Sequence, residues 1–222
     1  MEITDAIRSR KSIRRYKPNT VPREILEEIL KVAIKSPSAF NVQPWEISVV
    51  TGKVLDNIKQ GNVEMQASGA APNPDIMYKD FEGVYKQRQV ACTTQLHEAM
   101  GIRREDKAAR QEWNKLGLHF YDAPAAFILY ADGSLDDSRL TFEIGVITQT
   151  ICLAALNYGL GTCIMRQGVY YPEIVRRFTG IPKSKRIVTA ITIGYPDWEL
   201  KINQINTQRV PLESITAWYG FD

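Results

Sequence analysis

Apolar positions recur along this chain at two spacings, and the alternation between them predicts the elements. Ile3 and Ile7 stand four apart with Asp5 between them, which predicts a short helix over residues 2–9. Ser12 to Tyr16 reads as short and extended, and Pro18-Asn19-Thr20 as a turn. Ile25, Leu26, Ile29, Leu30 and Ala33 then recur at helical spacing, predicting an amphipathic helix over 22–36, with Pro22 in its first turn and Pro37 beyond its end. In 45–51, Trp45, Ile47 and Val49 alternate with Glu46, Ser48 and Val50, the period of a strand. Residues 61–83, with small residues and prolines in the run S-G-A-A-P-N-P, read as a long mobile loop. Tyr85 to Arg110 is polar and helical, interrupted near Gly101.

The second half is more apolar. Pro124 to Ala131 is a nearly unbroken apolar run of strand length, which suits a strand covered on both faces. Asp136, Asp137 and Ser138 offer N-cap groups for a helix reaching Tyr158, with Gly159 as its stop. Phe142, Val146, Ile147, Ile151, Leu153 and Ala154 surround much of that helix, so it belongs in a core or against a second subunit. Tyr171-Pro172 opens a short helix through Phe178, and Arg186 to Ile193 is rich in β-branched residues, a strand signature. From Leu200 the tail has little periodicity, and a tail without its own core docks on something else. The aromatics Tyr78, Phe81, Tyr85, Trp113, Phe120 and Tyr121 lie in a segment poor in aliphatics, where together they are suited to lid a flat aromatic ligand.

Composition narrows the class. At 222 residues with 44% apolar and 24% charged content, the chain has the make-up of a globular domain with a sizeable core. The absence of a long apolar run and of a signal-like N-terminus predicts a cytoplasmic protein with no membrane partner. Its three cysteines are unevenly spaced and its two histidines isolated, so neither a disulfide framework nor a His-rich metal site is expected. The net charge of +3 is small for a dedicated nucleic-acid binder, which makes local clustering of charge more informative.

Such a cluster exists in R-S-R-K-S-I-R-R-Y, residues 8–16, where Arg8, Arg10, Lys11, Arg14 and Arg15 surround Ser9 and Ser12. Cations this dense repel one another unless they face water or an anion. Guanidinium forks match phosphate oxygens and a serine hydroxyl adds a short hydrogen bond, so nucleic-acid backbone, an anionic membrane and a phosphorylated cofactor all fit. The G-x-G at 159–161 follows a helix and does not open one, so it is not a dinucleotide fingerprint.

Together with P-S-A-F-N-V-Q-P-W at 37–45, G-L-G-T-C at 159–163, I-T-I-G-Y-P at 191–196 and R-V-P-L-E at 209–213, the basic stretch resembles the FMN-dependent nitroreductases over nearly the whole chain. Y-K-Q-R at 85–88 and M-G-I-R-R-E-D-K-A-A-R at 100–110 look like the insert of its nitroaromatic and nitrobenzoate reductase subgroup. The resemblance implies an α+β fold: one domain over 1–222, a mixed central sheet flanked by helices, a helical insert or lid at about 61–121, and a tail at about 200–222 that wraps the partner of an intertwined homodimer. It implies FMN at the subunit interface, NADH or NADPH as donor and a nitroaromatic or quinone-like acceptor. The chemistry is carried at flavin N5 without a catalytic acid or base of the protein.

Residue by residue, Arg10, Ser12 and Arg14 then match the positions that hold the phosphate and the ribityl or pyrimidine edge, with Lys11 beside them, and Arg209 the late phosphate-binding arginine. Pro37, Ser38, Ala39 and Asn41 match the loop that meets the flavin from the other subunit. Met165, Arg166 and Gln167 match the segment whose main chain lies against the isoalloxazine. Phe40, Tyr85 and Arg88 are candidates for acceptor contacts, Arg88 meeting a carboxylate or nitro group. Two positions depart from the family pattern: Thr207 replaces a frequent basic residue, and Phe40 is bulky where smaller residues are common. Other FMN chemistry on the same fold (dehalogenation, enone reduction, dehydrogenation) and a non-enzymatic flavin-binding role share these motifs and stay open at this point.

Overall fold

A computed structural model describes residues 1–221. A sheet of four strands, β1 (Glu46–Thr51), β2 (Ala125–Asp132), β3 (Gly161–Met165) and β4 (Lys185–Gly194), is ordered β1-β2-β4-β3, with every neighbouring pair antiparallel. The parallel component expected of a mixed sheet is confined to one bridge, Ser12 to Thr162, on the outer side of β3. The helices are α1 (Ile3–Ser9), α2 (Arg23–Ala33), α3 (Gly52–Ala67), α4 (Gly83–Ala99), α5 (Lys107–Leu118), α6 (Asp137–Leu156), α7 (Pro172–Thr179) and the single turn α8 (Lys201–Gln204).

The unbroken apolar run in β2 follows from its central position, because side chains alternate between two covered faces. Ala125, Phe127, Leu129 and Ala131 pack with α2 and α6, through Leu26, Ile29, Leu140, Ile144, Ile147 and Ile151. Ala126 and Ile128 pack on the other face with Leu55, Ile58, Phe120, Val175 and β4. The result is three layers, helices on both sides of one sheet. The carboxylate of Asp136 caps α6 by accepting the N–H of Arg139 at 2.9 Å. By length and hydropathy α6 would suffice to cross a membrane, yet its Leu140, Ile147 and Ile151 are wholly buried in the core.

The structure corrects the reading of 61–83 as a loop from its first residue. Gly52 to Ala67 form α3, and irregular chain begins only beyond it. Its inward stripe is disguised because Lys59 and Asn62 share it with Leu55 and Ile58. Their donors find partners: Lys59 Nζ donates to the Ala123 carbonyl at 2.9 Å and Asn62 Nδ2 to that of Gly168 at 3.0 Å, while Asn62 Oδ1 is left without one. Gly61 is a packing residue; a Cβ there would lie 2.6 Å from Ile174 of α7. Residues 161–165, to which the sequence pattern assigns no element, form the edge strand β3. Helix α2 ends at Ala33, short of the expected 36. In the tail, Ile202 and Asn203 are buried against the body of the same chain.

Candidate functional site

The basic stretch becomes a strand-like ribbon along the outer edge of β3. Ile13 N–H donates to the Thr162 carbonyl at 2.9 Å, and Gly161 lacks a Cβ where one would lie 2.4 Å from Ile13. The ribbon is clamped from behind by Asn203, which is 1% exposed. Its Oδ1 accepts the Arg14 N–H at 2.8 Å, and its Nδ2 donates to the carbonyls of Arg15 at 2.7 Å and Asp197 at 2.8 Å. Lys11 Nζ donates to Asn206 Oδ1 at 2.7 Å, so the tail lies across the ribbon. Arg15 pairs with Asp122, whereas Arg10, Lys11 and Arg14 have no carboxylate partner among the described residues.

Arg10, Ser12 and Arg14 converge beside two buried thiols. Burial pushes Cys152 up to about 11 and raises Cys163 as well, while Arg10 pulls both back and Ser12 and Arg14 act on Cys163. Both thiols therefore stay protonated at neutral pH, which leaves them as core residues and not nucleophiles. Arg14 also lies against the Tyr121 hydroxyl, which burial holds up at about 12.

Beyond Thr162 the outer edge of β3 is uncovered by any strand among the described residues. Backbone polarity alternates along a strand, so Ile164, two residues past Thr162, turns its N–H and C=O to that open edge. Met165 is buried in the core and, by the same alternation, turns its main chain to Ala190 of β4, so the Met165 backbone expected against the isoalloxazine is engaged within the sheet; the Gln167 side chain packs under α5, against Gly117. The Arg166 guanidinium stacks 3.8 Å from the Tyr78 ring centroid. A cavity of about 560 Å³ opens here, lined by Tyr78, Phe81, Gln89, Thr148, Ile164 and Arg166, among others. Thr148 Oγ1 is buried in its wall without a hydrogen-bond partner.

The loop after α2 is a second group. Phe40, Asn41 and Gln43 all adopt left-handed backbone conformations, with φ of 51°, 58° and 45°. For side chains with a Cβ such a run is strained and persists only where it is over-determined. Ser38 Oγ accepts the Gln43 N–H at 2.9 Å, and Glu143 Oε1, on α6, accepts the Ala39 N–H at 3.0 Å. Phe40 is completely exposed. Glu143 and Cys152 stand roughly 13 Å apart along α6, so loop and ribbon occupy different stations on that helix.

The remaining candidates do not converge on the ribbon. Arg209 turns back on the tail, donating to the Thr207 hydroxyl at 2.8 Å and to the Thr207 carbonyl at 2.9 Å. The Arg88 guanidinium sits 5.8 Å from the ring centroid of Tyr85, both on the exposed side of α4. The aromatic set divides: Tyr78, Phe81 and Tyr85 are exposed, while Phe120 and Tyr121 are core residues and Trp113 packs against that core. Sequence reasoning passed over Glu143 and Asn203. Glu143 was detectable as the lone charge in α6 after Arg139, whereas nothing in the tail's pattern marks Asn203.

Comparison with known proteins sets this geometry in context. The Nitroreductase family matches residues 7–195. The chain is 28% identical over 214 residues to the nitroreductase NfnB of Mycolicibacterium smegmatis, covering 96% of this chain and 90% of that protein. It is 30% identical to a 4-nitrobenzoate reductase of a Nocardioides species, over 96% of this chain and 88% of the relative. The crystal structure of the FMN-dependent nitroreductase NfnB from Mycobacterium smegmatis in complex with NADPH superposes with a TM-score of 0.92 at 27% identity, covering 98% of this chain and 100% of that one.

Proposed function

Because the chain belongs to the nitroreductase family, we propose that it is an FMN-dependent oxidoreductase that moves two electrons from a nicotinamide nucleotide to a nitroaromatic or quinone-like acceptor. The observation that carries this reading is the ribbon itself: Arg10, Lys11 and Arg14 without carboxylate partners, beside an open strand edge and a cavity. The residues fit the cofactor. The unpaired cations suit a phosphate, the exposed main chain of Ile164 suits the polar edge of a heterocycle, and the orphaned Thr148 hydroxyl can bond a group placed in the cavity. FMN, when bound, supplies the redox chemistry by accepting and releasing hydride at N5.

The protein's part is binding, orientation and electrostatics. Arg10 and Ser12 hold the phosphate, with Lys11 beside them. Arg14, fixed by Asn203 and Tyr121, places positive charge where negative charge develops on reduction. Ile164, and Arg166 and Gln167 beyond the end of β3, present main chain. Arg209 completes the phosphate site after leaving Thr207, and Pro37, Ser38, Ala39 and Asn41 reach a second subunit's cofactor in a homodimer. The exposed Tyr85–Arg88 pair meets the aromatic acceptor, Tyr85 by stacking and Arg88 by charge.

Absorbance of the purified protein, followed by anaerobic titration with NADH and NADPH, tests the reading. The expected result is a yellow protein bleached by the nucleotide and recoloured by 4-nitrobenzoate. Arg10→Ala is expected to lose FMN on gel filtration, because removing one partner of a desolvated charge pair costs on the order of 2–5 kcal/mol. In the same assay Arg88→Ala should lose the preference for 4-nitrobenzoate over nitrobenzene. A colourless wild type sinks the function, unchanged FMN retention in Arg10→Ala the phosphate assignment, and an unaltered preference the role of Arg88.

A further inference from the structure

A cavity of about 920 Å³ lies between α4 and the turn leading to α5, away from the open edge of β3. One face of α4 forms its floor, with Lys86, Gln89, Val90, Thr93, Thr94 and His97 following at helical spacing. The opposite wall carries Arg103, Arg104 and Arg110. Two carboxylates, Glu98 and Glu105, also line it, yet none of these cations or carboxylates forms an ion pair among the described residues. Arg110 Nη1 donates to the Arg104 carbonyl at 3.1 Å, which holds the arginine side together. Burial, and then the charge of Arg110, depress the His97 imidazole below its ordinary value, so His97 adds no charge of its own at neutral pH.

The cavity is not isolated. Gln89 lines both this space and the cavity beside Ile164 and Arg166, and Lys86 Nζ donates to Gln89 Oε1 at 2.9 Å at the junction. A ligand that reaches both must be elongated. Its far end meets a cluster with an excess of cations, three of them guanidinium groups suited to a phosphate monoester.

We propose that the Arg103–Arg104–Arg110 cavity binds the 2′-phosphate of NADPH and so sets a preference for NADPH over NADH. This rests on the functional reading above, which sets the flavin at Ile164; the nicotinamide must reach that flavin to pass its hydride, so its end enters the cavity by Ile164. The adenosine end then passes over Gln89, and the 2′-phosphate, the one group that NADH lacks, comes to the arginines. Thr94 supplies a hydroxyl donor on the facing helix, whereas the Thr93 hydroxyl donates to the Gln89 carbonyl at 2.9 Å.

Two measurements test this on the purified full chain. Steady-state kinetics with NADPH and NADH compare the wild type with the Arg103→Gln/Arg104→Gln double variant and with Arg110→Gln. The expected result is a fall of at least about ten-fold in kcat/KM for NADPH with little change for NADH, the size of one lost charge-assisted contact. Equal changes for both nucleotides, or none, overturn the proposal. Calorimetric titration with adenosine 2′,5′-bisphosphate against 5′-AMP needs no turnover, so it judges the cavity even if the protein proves not to reduce nitroaromatics. The wild type should bind the bisphosphate at least about ten-fold more tightly and the double variant should lose that margin. No margin in the wild type, or one that survives in the variant, refutes the site.

Discussion

Glu143 is the residue on which the left-handed loop depends. At 2% exposure it spends one carboxylate oxygen on the Ala39 N–H while the other lacks a partner. A buried carboxyl oxygen without a partner costs free energy, which the rest of the fold must offset. The Glu143 bond ties Ala39 to α6 immediately before the three positive-φ residues, so Glu143 is a positioning residue for the face that presents Phe40 and Asn41. Glu143→Ala should lose about 1–3 kcal/mol of stability and expose the amides of 38–43 to hydrogen exchange, whereas Glu143→Gln, which keeps an acceptor, should restore most of the protection. Equal protection in all three proteins would show that the loop holds itself.

At the scale of elements, the joint between α5 and β2 is the most constrained segment. Phe120, Tyr121 and Asp122 are consecutive left-handed residues, with φ of 55°, 51° and 59°. Their conformation is held by Phe120 in the core, by Lys59 on the Ala123 carbonyl, and by Asp122, whose oxygens meet His119 Nδ1 and Arg15 Nη1, each at 2.6 Å. The turn is what sets Tyr121 against Arg14. The His119 hydrogen bond, opposed by partial burial and reinforced by Arg15 and Lys59, holds the Asp122 carboxyl below its ordinary 3.8. A carboxyl depressed in the folded state contributes stability above its ordinary value and loses it as pH falls through the lowered one. Wild type should therefore exceed Asp122→Asn in stability near pH 5, by about 0.5–1 kcal/mol because the side chain is half exposed. At about pH 2, below the ordinary value, the gap should be smaller. Urea midpoints of the two proteins at both pH values check this; a gap independent of pH would assign the turn's stability to its backbone alone.

For the whole molecule, apolar surface remains where a single chain does not need it. Phe40 and Val42 on the loop, Phe142 on α6, and Trp218 and Phe221 at the end of the tail are all more than half exposed. The last two stack edge to face at 5.3 Å, an ordered aromatic pair turned outward. Surface of this kind, on the same loop and tail that carry cofactor candidates, is what a homodimer would cover. Sedimentation across a dilution series is expected to show a dimer at all concentrations at which FMN stays bound, and a stable monomer that retains FMN would remove the second subunit from the site.

Local chemistry by itself determined much of this protein. The two-faced burial of β2, the cap and core character of α6, the extended ribbon at 12–16 and the strand at 186–193 follow from side-chain periodicity within each segment, which tertiary contacts reinforce. The cationic ribbon was likewise legible, because like charges so close together need an explanation wherever they fold. Other features were decided only in three dimensions. Helix α3 was obscured because Lys59 and Asn62 occupy inward positions whose acceptors, at Ala123 and Gly168, lie far along the chain. The edge strand β3 exists because β4 offers it a partner, and a five-residue segment cannot form that ladder alone. Glu143, Asn203 and the arginine cavity acquire their roles from neighbours that folding brings to them, and a polar residue's worth depends on the partner it meets.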